Sequence, residues 1–171
     1  LFRSRIAPMV LRRQGADTTV LTRWPTLVMH ARRRQLFVAA LASDQWPTED
    51  AELYHAPIAN VWTSGQMCTG SAILPMGCTP ADIAGWNGVL TDSAFTHKNH
   101  DAAITVRKPT AGGKRTRKAR SEVVEHPDPM DYWSGMDGVQ TPFPAEHLTP
   151  LKLSLSRWLA GLIGGSADDD A

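Results

Sequence analysis

The sequence predicts an α+β domain built on an antiparallel sheet, and three observations carry that prediction. Short β-rich or apolar runs come first, at Thr18 to Thr22, Leu27 to Ala31 and Leu36 to Leu41. Helical spacing comes last, with Leu151, Leu155, Trp158, Leu159, Leu162 and Ile163 recurring near the end of the chain. A proline-bearing segment and a glycine hairpin lie between, and strands followed by helices is the order of an α+β domain. At 171 residues, 42% apolar and 20% charged, the chain can bury one hydrophobic core.

Taken in order, residues 1–17 show no clear period and read as a flexible basic arm. The domain proper then runs over residues 18–164. Arg32-Arg33-Arg34-Gln35, between two of the β-rich runs, suits a hairpin loop. Residues 43–57 carry Trp46-Pro47 and Ala56-Pro57 with three acids between them, and proline biases its predecessor away from helix, so the segment reads as an extended flap over a sheet. Asn60 to Trp62 and Gln66 to Ala72 flank Thr63-Ser64-Gly65, where glycine supplies the positive φ of a tight turn. A helix is expected from Thr79 to about Leu90: Thr79 can cap it, Pro80 suits the first helical position, and Asp82 favours the positive end of the helix dipole. Residues 107–120 contain glycine and are strongly basic, so they read as a mobile loop. Six prolines and glycines between Pro127 and Pro144 predict irregular chain. Gly164 is a natural stop for the last helix, and residues 165–171 read as a disordered acidic tail.

The formal charge of +1 conceals segregation: fifteen of the eighteen Lys and Arg lie in residues 3–34 and 107–120. Lys114, Arg115, Arg117, Lys118 and Arg120 are a candidate track for nucleic-acid phosphates, although no aromatic residue is interleaved for base stacking, and a solvated loop or a docking patch for an acidic partner reads better. The longest apolar run, Leu36 to Ala42, is far shorter than the roughly 18 residues a membrane span needs. Two cysteines make no disulfide framework, so free thiols and a cytoplasmic location are expected. The chain starts at Leu1 rather than Met, which we read as an upstream truncation in preference to a targeting segment.

The residues that could carry chemistry are Cys68, Cys78, Asn60, His97 and His100. Cys68 follows the glycine turn, and a thiol there is either a small buried filler or a nucleophile. Cys78 precedes a helix N-terminus, where the dipole can activate a thiol. The set Cys68, Cys78, His97 and His100 has the residue types of a zinc site, but structural zinc sites usually pair cysteines about two to four residues apart and these stand ten apart, so no metal is expected.

The run "ELYHAPIANVWTSGQMCTG", followed by "DSAFTHKNH" and "TPFPAEHLTP", resembles the PRTRC system protein B family of bacterial plasmid and island gene clusters, over roughly residues 44–159. That family is grouped with the ubiquitin-conjugating-enzyme-like proteins. The resemblance implies a ubiquitin-conjugating-enzyme-like fold, an antiparallel β-meander with flanking helices. It implies Cys68 as the nucleophile that holds an acyl group as a thioester. In the wider fold an asparagine stands eight positions before the cysteine, within a His-Pro-Asn motif, and Asn60 stands eight before Cys68. Ile58 occupies the place of the motif's histidine. A downstream histidine is implied as its substitute, and His97 matches that place better than His100.

On this resemblance the expected partners are a ubiquitin-like protein and a ThiF-type activating enzyme. Asn60 would stabilise the oxyanion and His97 would assist proton transfer, with no cofactor. A second reading, an inactive adaptor or DNA-associated module of the same gene cluster, stays open beside it.

Overall fold

A computed structural model describes residues 1–109 and 122–164 of the chain. The strands are β1 (Ile6–Arg13), β2 (Ala16–Arg23), β3 (Thr26–Arg32), β4 (Gln35–Leu41), β5 (Glu52–His55), β6 (Ala94–Phe95), β7 (Val106–Pro109), β8 (Glu122–Glu125) and β9 (Pro150–Ser154). The helices are α1 (Ile83–Thr91), α2 (Pro129–Ser134) and α3 (Leu155–Gly164). One sheet has the order β2-β1-β6, a second β3-β4-β5-β9, and β7 and β8 form a separate hairpin. All pairings are antiparallel except β1 with β6, where Val10 faces Ala94 and Leu11 faces Phe95 in parallel. The predicted α+β class with antiparallel sheets is what the chain adopts.

Both sheets contribute to one core. Met9, Leu11 and Val20 of the first sheet cluster with Leu27, Leu36, Val38 and Ala40 of the second, around Trp24, Trp86, Phe95 and Trp133. The other face of the second sheet presents Phe37, Ala39, Leu41 and Leu53 to Trp158 of α3. With apolar neighbours on both faces, β4 has no solvent side, and this is why it reads as an unbroken apolar run rather than an alternation. The hairpin between β3 and β4 turns at Arg33 and Arg34, which have φ of 43° and 63°. Arg32 and Gln35, read in the sequence as part of the loop, pair at the ends of the two strands.

Four expectations are corrected. Residues 1–17 are not a flexible arm: they hold all of β1 and the start of β2, paired from Ile6 opposite Arg23 to Arg13 opposite Ala16. Pro8 and the arginines mask the strand alternation there, while buried Met9 and Leu11 anchor it. Residues 43–57 are not simply a flap, because β5 lies within the sheet between β4 and β9. Residues 127–144 include helix α2, started by the Asp128 carboxylate accepting from Met130 N–H at 2.8 Å, with Pro129 at the first helical position. The basic segment 107–120 begins in strand β7, and the rest of it, like the acidic tail 165–171, lies outside the described residues.

Helix α1 follows the predicted start closely. A single 3-10 turn at Pro80–Asp82 leads into it, and the Asp82 carboxylate accepts from Thr79 N–H at 2.9 Å and from the Thr79 hydroxyl at 2.7 Å. These bonds hold the Asp82 carboxyl below its usual range. Among the described residues no helix is long and apolar enough to cross a membrane.

Candidate functional site

The glycine turn predicted at residues 63–65 builds the site. Gly65 has φ of 84°, its N–H donates to Trp62 O at 2.9 Å, and Trp62 N–H donates to Gln66 O at 2.9 Å. The returning arm of this hairpin joins β4: Val38 N–H donates to Gly65 O and Met67 N–H to Leu36 O, each at 2.8 Å. A methyl group on Gly65 would stand 3.1 Å from Val38 O, a tight approach, and the positive φ itself favours glycine. Cys68 is the next residue but two, half-buried, at the mouth of a cleft.

Asn60 ties that hairpin to the segment after α1. Its φ is 61°, a left-handed conformation that asparagine tolerates better than most residues. Its N–H donates to His97 O at 3.0 Å and its carbonyl accepts from Cys68 N–H at 2.6 Å. Its side-chain Oδ1 accepts from Thr96 N–H at 3.0 Å and His97 N–H at 3.3 Å, and Nδ2 donates to Ala94 O at 3.2 Å. The residue is buried, at 5% exposure, so each of these bonds satisfies a group that water does not reach. An amide nitrogen has two hydrogens, and the bond to Ala94 uses one of them.

His97 is exposed, and its Nδ1 lies 2.6 Å from the Thr96 hydroxyl, which is in turn 3.4 Å from Asn60 Oδ1. Thr96 therefore engages Nδ1 of the ring. Sequence reasoning missed Thr96. Its signal was its place beside His97 in "FTH". Cys68, Asn60, Thr96 and His97 all line one cleft of about 330 Å³, together with Arg12 and Asp92.

Cys78 stands apart, exposed on a different cleft of about 320 Å³ with Met29, His30, Ile83, Trp86 and Asn87. Burial, and then the nearby Arg32, push His30 below its usual pKa. His100 is in neither cleft. Its ring lies 4.2 Å from that of His55, whose pKa falls to about 4, first through burial and then through His100. The four residues weighed as a zinc set are thus dispersed, and among the described residues no group of His, Cys, Asp and Glu is placed to hold a metal ion. Lys114, Arg115, Arg117, Lys118 and Arg120 lie outside the described residues.

The cleft thus gathers a half-buried thiol, a carboxamide and an imidazole, the group types that acyl transfer uses. Residues 5–151 match the family described as prokaryotic E2 family D. No curated protein and no solved structure matches the chain.

Proposed function

Because the chain belongs to prokaryotic E2 family D, and such a family implies a ubiquitin-like protein and an activating enzyme as partners in general, we propose that it acts as a PRTRC-type protein B. In this reading it carries a ubiquitin-like protein as a thioester on Cys68. The observation that carries the proposal is the shared cleft: Cys68, Asn60 and His97 line one cavity, although Asn60 and His97 are 37 positions apart in the chain.

The Cys68 thiolate attacks the carbonyl carbon of the modifier's C-terminal thioester on a ThiF-type activating enzyme, and that enzyme's thiolate leaves. A target amine then attacks the Cys68 thioester, the Cys68 thiolate departs, and an amide forms. The second hydrogen on Asn60 Nδ2 supports the oxyanion of each tetrahedral intermediate. His97 Nε2 takes the proton that the amine releases.

Mixing the protein with ThiF-type activating enzyme, ubiquitin-like partner and ATP, followed by gels with and without reductant, tests the reading. A reducible adduct that Cys68→Ala abolishes and Cys78→Ala retains supports it. The absence of an adduct, with the activating enzyme itself charged, supports the adaptor reading instead. One observation favours that second reading: Ile58, in the place of the motif's histidine, is 1% exposed and packed in the core. A DNA-associated adaptor would bind nucleic acid through residues 114–120 with a steep salt dependence.

A further inference from the structure

Leu11 and Phe95, partners in the parallel pairing of β1 and β6, are buried in the core at 2% and 0% exposure. Side chains alternate along a strand, so the next residues, Arg12 and Thr96, stand on the opposite face of that sheet. Both line the cleft with Cys68. Arg12 is held there by the residue across from it on β2: its Nε donates to Asp17 Oδ1 at 2.6 Å and its Nη2 to Asp17 Oδ2 at 2.9 Å. A guanidinium has five N–H groups, and this fork uses two of them.

Charge in the cleft is uneven. It has one arginine, Arg12, and one carboxylate, Asp92. Asp17 balances the arginine, and the bond between them holds the Asp17 carboxyl below its usual range. Asp92 instead accepts from the neutral Thr91 hydroxyl at 2.9 Å. Given the carrier role of Cys68, on which this rests, we propose that Arg12 and Asp17 act together as an uncharged hydrogen-bond donor. Their ligand is a main-chain carbonyl in the tail of the incoming thioester, a few residues before the reacting carbon, and the cleft thereby selects a tail without acidic side chains.

The chemistry of the pair sets the preference. An unpaired guanidinium seeks a carboxylate, in a bidentate fork that Asp17 already occupies. The remaining N–H groups carry little net charge and complement a peptide carbonyl. A carboxylate in the tail gains no unmatched cation and meets Asp17 and Asp92 as like charges. Length matters as well. An extended tail advances about 3.3 Å per residue, so four residues cross a cleft of about 330 Å³ and a single residue does not.

The test treats the whole chain with N-acetylcysteamine thioesters of acetyl-glycine and of acetyl-Val-Thr-Ala-Gly, and times acylation of Cys68 by mass spectrometry. The Cys68 thiolate attacks the thioester carbonyl, the carbon–sulfur bond to the cysteamine breaks, and N-acetylcysteamine leaves as a thiolate that water protonates. The longer thioester is expected to react about fivefold faster than the shorter, and Arg12→Ala brings the two rates together. Replacing Thr by Asp in the longer thioester slows its reaction with the parent several-fold. Asp17→Asn frees the guanidinium charge and makes the Asp thioester the faster of the two. An advantage of the longer thioester that survives Arg12→Ala overturns the proposal, and so does an Asp thioester that already outruns its Thr counterpart on the parent. Equal reaction of the long and short thioesters at Cys68 overturns it too, while leaving the carrier reading in place. No acylation of Cys68 by any of them overturns the carrier reading along with it.

Discussion

Cys68 and Cys78 open on clefts of nearly equal volume, about 330 and 320 Å³, yet their surroundings have little in common. Around Cys68 the polar groups are fixed by one another: Asn60 bonds to the cysteine's own backbone and to the 94–97 segment, and Thr96 holds His97. Around Cys78 the walls are a strand edge and the apolar side of a helix, with a histidine whose pKa burial lowers. Cleft size thus says little about chemistry. What sets the Cys68 cleft apart is that its donors and acceptors are already fixed by one another.

The most severe way to break the contrast is to exchange the thiols' fates. Cys68→Ala is expected to abolish the reducible adduct and Cys78→Ala to leave it intact, as read on the gels described above; the opposite pattern would reverse the assignment of the two clefts. Asn60→Ala comes next, because it removes side-chain bonds to Ala94, Thr96 and His97 and places alanine in a left-handed conformation. A loss of about 2–4 kcal/mol in urea unfolding is expected. A variant as stable as the parent would mean that the hairpin and the 94–97 segment are held together by something other than Asn60.

Histidines away from both clefts sharpen the comparison through pH. His55 has a folded pKa of about 4, below the unfolded value near 6.5, so the unfolded chain binds its proton first on acidification. Stability from this neutral ring is complete above pH 6.5 and falls as pH drops toward 4. The ring is only partly buried, so the expected loss is about 1–2 kcal/mol once solvent screening is allowed for. Denaturant midpoints at pH 7 and 5 should converge in a His55→Gln variant, and an unchanged pH dependence would exclude His55 as its source.

The smallest effect belongs to the Cys78 side. Thr79→Ala removes the hydroxyl that bonds Asp82 at the start of α1 and should cost about 1 kcal/mol while leaving the adduct on Cys68 unaltered. Loss of the adduct in that variant would show that the two clefts are coupled.

Much of the second sheet was legible in the sequence, because β3 and β4 are apolar runs joined by a charged turn and the hairpin before Cys68 carries its own glycine. The helix after Cys78 was legible from Thr79, Pro80 and Asp82, whose local chemistry makes a helix start. Strand β1 was hidden, since its pairing with β2 and β6 is tertiary and its surface is proline and arginine. The place of β5 between β4 and β9 could not be read from order alone, because β9 arrives about 100 residues later in the chain. The nearness of Asn60 to Cys68 follows from hairpin spacing. The approach of His97 does not: it depends on α1 ending where β6 can pair with β1, and Thr96, which fixes the ring, left only an unremarkable trace beside it.

The bonds from Asn60 to residues 94–97 carry one more consequence, for the order in which the molecule is made. They span 34 to 37 positions, so the Cys68 cleft has no local precursor: closing it awaits synthesis of the whole α1 segment and of the β6 strand behind it. On the ribosome the thiol therefore emerges well before the groups that surround it, and during that interval Cys68 is an ordinary free cysteine on an unfinished chain.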